Sequence, residues 1–124
     1  MSWRDAPLYV ESYDLSRDLM DRATRKPADL YLKEATPLAL EILDRVSLAL
    51  TFPDRRVPLL RQADEAVVRL RMRLRLAIEA GSLSSGAFRK LSGQLLAIGR
   101  MLGGWQRRLE PGARAPPVQQ KSGE

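Results

Sequence analysis

Large apolar residues recur along most of this chain at alternating steps of three and four, the spacing that lines one side of an α-helix, and four stretches carry the pattern. The clearest runs from Ser84 to Leu109, where Phe88, Leu91, Leu95, Ile98, Leu102, Trp105 and Leu109 draw one continuous stripe. Such a stripe holds a helix together in water only when it is buried. At about 100° per residue, Arg89, Arg100 and Arg107 fall within roughly 20° of one another on the opposite side, with Gly93, Gly103 and Gly104 beside them. The pattern predicts a helix with one packed face and one cationic face.

The first stretch predicts a helix from Leu8 to about Thr24, its buried face centred on Leu8, Leu15 and Leu19 and widened by Tyr9, Tyr13, Met20 and Ala23. Asp14, Asp18 and Asp21 share one side of it, and the neighbouring Arg17 and Arg22 favour ordinary surface pairing over a metal site. Arg25-Lys26-Pro27 ends this helix, because proline lacks an amide proton and disfavours α geometry in the residue before it. The second helix is expected from Ala28 to about Leu50. Its stripe of Leu32, Ala35, Leu38, Ala39, Ile42, Val46, Ala49 and Leu50 stays in phase across Pro37, which predicts one kinked helix rather than two. Phe52 to Arg56 reads as a tight turn in which Asp54 caps the third helix and Pro58 is tolerated in its first turn.

The third helix is expected to end near Ala80 and to stop at Gly81, a natural left-handed terminator. Two of its sides are apolar. Leu60, Ala63, Val67, Leu70, Leu74 and Ile78 form the core stripe, while Val68, Met72 and Leu76 make a second row, flanked by Arg71 and Arg75 on one side and Arg69 and Arg73 on the other. One bundle cannot bury both, so Val68, Met72 and Leu76 are the expected oligomer interface. Ser84 or Ser85 caps the fourth helix. Four amphipathic helices joined by short turns predict an all-α, antiparallel up-down-up-down four-helix bundle over residues 1–110. Residues 111–124, PGARAPPVQQKSGE, lack apolar anchors and read as a flexible tail. Trp3 has no periodic partner and is expected to cover the open end of the bundle or to meet a neighbour.

With 124 residues there is room for one domain, and 21 Lys and Arg against 15 Asp and Glu leave a net charge of +6, which favours a polyanionic partner. Cysteine and histidine are both absent. That excludes disulfides, thiolate or imidazole metal sites, and any nucleophile and base built on those side chains. The remaining carboxylate, hydroxyl, Lys and Tyr chemistry forms no recognisable constellation, so neither catalysis, metal nor cofactor is expected. No run approaches the ~18 apolar residues of a membrane span, and the first residues do not read as a signal peptide, so the expected location is cytoplasmic. Arg69, Arg73, Arg89, Arg100 and Arg107 are the candidate nucleic-acid contacts. No aromatic residue interleaves with them, and Trp105 is in phase with the core, so sequence-independent phosphate binding is expected rather than base stacking. Each helix glycine costs about 1 kcal/mol relative to alanine. Close helix packing is the first expected compensation at Gly93, Gly99, Gly103 and Gly104, ahead of contact between subunits or approach of a ligand to the backbone.

The run Ile98-Gly99-Arg100-Met101-Leu102-Gly103-Gly104-Trp105 closely resembles the last-helix signature of a family of small four-helix-bundle proteins, and Leu74-Arg75-Leu76-Ala77 before Gly81 extends the likeness. The resemblance covers roughly Tyr9 to Arg108. One branch comprises proteins encoded in intervening sequences of bacterial large-subunit ribosomal RNA genes; the other is Avd, the accessory variability determinant of diversity-generating retroelements. Resemblance to Avd implies a homopentameric basic barrel that associates with a reverse transcriptase and its template RNA or cDNA and supports mutagenic retrohoming. The ribosomal branch implies instead an oligomeric scaffold or interaction protein without nucleic-acid binding. The basic charge favours the Avd branch.

Overall fold

In a computed structural model of the chain, residues 6–110 are described; Trp3 and the expected tail at 111–124 lie outside the described residues. Four helices make up the fold: α1 (Pro7–Arg25), α2 (Leu30–Thr51), α3 (Arg56–Glu79) and α4 (Ser85–Leu109), with one 3-10 turn at Pro53–Arg55. No strand occurs among the described residues. α1 packs on α2, α2 on α3, α3 on α4 and α4 back on α1, closing a four-helix bundle.

Local chemistry sets the helix ends. Pro7 opens α1, where a missing N–H costs nothing. The Asp29 carboxylate caps α2 by accepting from the Tyr31 and Leu32 amides at 3.0 and 3.1 Å, so the helix begins two residues later than the apolar pattern implies. α2 runs unbroken through Pro37, which lies exposed, and the Thr36 hydroxyl beside it donates to the Leu32 carbonyl at 2.7 Å. Asp54 does not cap α3. It sits inside the 3-10 turn, and the cap position falls to Arg55, whose side chain makes no capping bond. Arg56 instead closes the end of α2, donating from Nε to the Ala49 carbonyl at 2.7 Å.

α3 ends in a Schellman motif: the Ser82 amide reaches the Ala77 carbonyl at 2.8 Å and the Gly81 amide reaches Ile78 at 3.0 Å. The reversal places Gly81 at φ +83°, where a side chain would be strained. Ser84 then caps α4, its hydroxyl oxygen accepting from the Ala87 amide at 3.1 Å.

The core follows the expected stripes at their centres and departs from them at their edges. Leu91, Leu95, Ile98 and Leu102 are fully buried, whereas Phe88 and Trp105 are partly covered and Leu109 is exposed. Tyr13 and Met20, expected to widen the face of α1, are exposed as well. The buried flank of α1 carries small polar groups instead. Ser12 donates to the Leu8 carbonyl at 2.7 Å, and Ser16 donates across to Ala39 of α2 at 3.0 Å, so both hydroxyls are satisfied in the interior.

Candidate nucleic-acid interface

α4 presents Arg89, Arg100 and Arg107 to solvent, and none of the three pairs with a carboxylate among the described residues. From Arg89 to Arg107 the helix advances about 27 Å at 1.5 Å per residue. Arg107 and Arg108 stand in the last turn, where cations complement the negative end of the helix dipole. Arg107 lies back over Gly103, its Nη1 3.4 Å from where a Cβ would stand, and Arg108 does the same over Gly104 at 3.6 Å.

These distances correct the expected role of the glycines. A Cβ at Gly99 would meet Val67 at 3.8 Å and Arg71 at 4.0 Å, ordinary contacts, and at Gly93 it would meet nothing within 4 Å. No glycine of α4 is required for a neighbouring helix to approach. The residues that hold α4 in place are the fully buried leucines and isoleucine of the opposite face.

The five candidate arginines do not form one patch. Arg69 turns toward α2, where its Nη1 is 3.9 Å from Glu41, and the half-buried Arg73 is one turn further along the same flank of α3. Arg71 takes the other flank and reaches Gly99 of α4. Between these flanks stand Val68, Met72 and Leu76, 49%, 59% and 48% exposed, an uncovered apolar row on the single chain as the sequence pattern implies. Arg71, whose Nη2 lies 4.0 Å from where a Cβ at Gly99 would stand, is the α3 guanidinium set against α4, and charge spacing along one helix does not single it out.

Leu96 is the other residue that the sequence pattern passes over. It is 49% exposed and lies on the same side of α4 as Arg89 and Arg100, so this face is cationic with an apolar centre. The signal was the Leu95-Leu96 pair, since neighbours 100° apart cannot both enter a narrow stripe. Leu96, Phe88, Gly93 and Arg89 of α4 line an open groove of about 500 Å³ with Ile78 of α3.

On the α1–α4 side, the charges are organised by pairing. Lys90 Nζ is 2.9 Å from Asp18 Oδ2, and Arg22 Nε bonds the other carboxylate oxygen. Burial pushes the Asp18 carboxyl up, but the hydrogen bonds from Lys90 and Arg22, with their charges, outweigh it and hold the group below its ordinary value. Asp18 is thus largely covered, not part of a solvated acidic face; its pairing with Arg22 is as expected. Burial likewise pushes Asp29 up, and the Leu32 amide, the Ser82 hydroxyl, the Tyr31 amide and the Lys26 charge together bring it down. Among the described residues no three acidic side chains converge to hold a metal, and no helix is long and apolar enough to cross a membrane.

Trp105 is partly buried rather than enclosed, and the Arg56 guanidinium sits 5.4 Å from its ring centroid. The described residues thus form a four-helix bundle with an exposed arginine face on α4 and an exposed apolar row on α3. No family model, curated protein or solved structure matches the chain.

Proposed function

We propose that this chain is a non-catalytic accessory protein that binds the phosphate backbone of nucleic acid without reading its sequence. The observation that carries the reading is the set of three exposed α4 guanidiniums, Arg89, Arg100 and Arg107, which no carboxylate among the described residues neutralises. Their run of about 27 Å suits several successive phosphates. Through the resemblance of residues 98–105 to the Avd signature, the proposed setting is a diversity-generating retroelement, with a reverse transcriptase and its template RNA or cDNA as partners. Self-association through Val68, Met72 and Leu76 into a homopentamer multiplies the arginine face, so modest contacts per chain add up by multivalency.

A second reading is favoured by Leu96 at the centre of the arginine face: an oligomeric scaffold of the ribosomal intervening-sequence type, in which α3 and α4 meet copies of the chain and the arginines keep the assembly dispersed. Binding to unrelated RNA and DNA oligonucleotides across a salt series separates the two. The nucleic-acid reading requires log affinity to fall by about 0.7 to 0.9 per log salt for each phosphate neutralised, with a shallower slope in Arg100→Ala/Arg107→Ala. Absence of binding at 0.1 M salt in an assembled protein, or an unchanged slope in the double variant, overturns it.

A further inference from the structure

At the end of the bundle where α1 begins and α4 finishes, a second cavity combines an apolar floor with two guanidiniums. Its volume is about 500 Å³, within the ~300–1,000 Å³ typical of ligand pockets. Pro7, Leu8, Leu50, Met101 and Trp105 give it an apolar floor. Gly104 contributes bare backbone, and Arg100 and Arg108 complete the lining. No carboxylate lines it among the described residues, and the nearby carboxylate of Glu110 is occupied by Arg61 at 2.7 Å. The Arg56 guanidinium against the Trp105 ring is tied to the Ala49 and Leu50 carbonyls and does not line the cavity, which leaves Arg100 and Arg108 as its cations among the described residues.

We propose that this pocket docks a short acidic segment of a partner protein, one bulky apolar side chain entering between α1 and α4 while flanking carboxylates meet Arg100 and Arg108. This goes beyond nucleic-acid binding, for which an apolar floor has no use. Charge complementarity names the sign of the partner, and spacing names its form. Arg100 and Arg108 are eight residues apart on α4, about 12 Å along the axis. An extended segment covers about 13 Å in four residues, and its first, third and fifth side chains point the same way. An acid, an apolar anchor and an acid at those three places address both arginines and the floor together. A single small carboxylate spans no such distance.

The test uses the full chain and a fluorescein-labelled peptide Glu-Ser-Phe-Ser-Glu, followed by polarisation, with the Trp105 indole N–H resonance as a local reporter. Replacing the phenylalanine by alanine, or the glutamates by glutamines, is expected to weaken binding at least about tenfold, as loss of a central anchor or its charged partners does. Gly104→Leu fills the cavity from its floor, and a Cβ there meets only the flexible ends of Arg108 and Arg107, so the fold is retained while binding falls by a similar factor. Arg100→Ala/Arg108→Ala should remove the preference for glutamate over glutamine. Equal binding of the alanine peptide, or an unmoved Trp105 resonance, overturns the pocket as the site and leaves only diffuse attraction to arginine. Binding seen only in Trp3→Ala would make the chain's own first residues the occupant and overturns the partner.

Discussion

Ser82 donates its hydroxyl to Asp29 Oδ1 at 3.0 Å, so the carboxylate that caps α2 is also held from the connection between α3 and α4. The same oxygen accepts from the Tyr31 and Leu32 amides. Asp29→Ala should therefore lower the unfolding free energy in urea by about 1–2 kcal/mol, the upper part of the range for a lost cap. Asp29→Asn, which keeps an acceptor, should cost less. Equal stability of Asp29→Ala and the parent would show that water replaces the whole arrangement.

Acid should destabilise the fold through two groups. Asp18 and Asp29 both lie below their ordinary value in the folded chain, so the unfolded chain binds protons first as pH falls. Their contribution is complete above the unfolded value of about 3.9 and is lost as pH drops through the lower folded values. The urea midpoint should fall below about pH 4, and the fall should be shallower in Asp29→Asn and in Lys90→Met, which takes away the ammonium facing Asp18. An acid limb of the same depth in both variants would assign it to other carboxylates.

Met72 is the most exposed of the apolar row on α3. If copies of the chain meet there, Met72→Glu places an unpaired charge at the contact and should shift the sedimentation profile to smaller species without loss of helicity. A monomeric parent, or an assembly indifferent to Met72→Glu, removes this row from the interface.

Gly99→Ala should stabilise the single chain by up to about 1 kcal/mol, because the new methyl group finds only ordinary contacts with Val67 and Arg71. The measurement is most informative when paired with sedimentation. Higher helix stability together with weaker assembly would locate a copy of the chain against this backbone.

A chain ending at Glu110 should melt as the full chain does, since the residues beyond it offer no apolar anchor and the Arg61–Glu110 pair is retained. A fall in melting temperature of more than about 4 °C, equivalent to about 1 kcal/mol for a domain of this size, would show that residues 111–124 dock on the bundle.

Periodicity made the four helices legible, because the stripe of α4 and the stop at Gly81 are local consequences of residue type. Local reasoning failed where partners are distant in the chain. The acceptor that lets Ser16 lie buried is Ala39 of α2, 23 residues away, and Asp54 reads as a cap until the 3-10 turn moves the helix start past it. The candidate site shows the same division. The exposure of Arg89, Arg100 and Arg107 follows from one helix, but the separation of Arg69 and Arg73 from them depends on how α3 is rotated between α2 and α4. The pocket by Trp105 draws on three helices and leaves no trace in any single stretch of sequence.

Because α1 begins where α4 finishes, a label or carrier joined before Pro7 or after Leu109 would crowd Trp105 and the arginines around it. Amine coupling is not selective, since the sequence holds four lysines, Lys26, Lys33, Lys90 and Lys121, and Lys90 is engaged with Asp18. The chain contains no cysteine, however, so a single thiol introduced at the exposed Ala28, in the connection between α1 and α2, would be a unique handle at the opposite end. Tethered there, every copy would offer its arginine-rich end to solution in the same orientation.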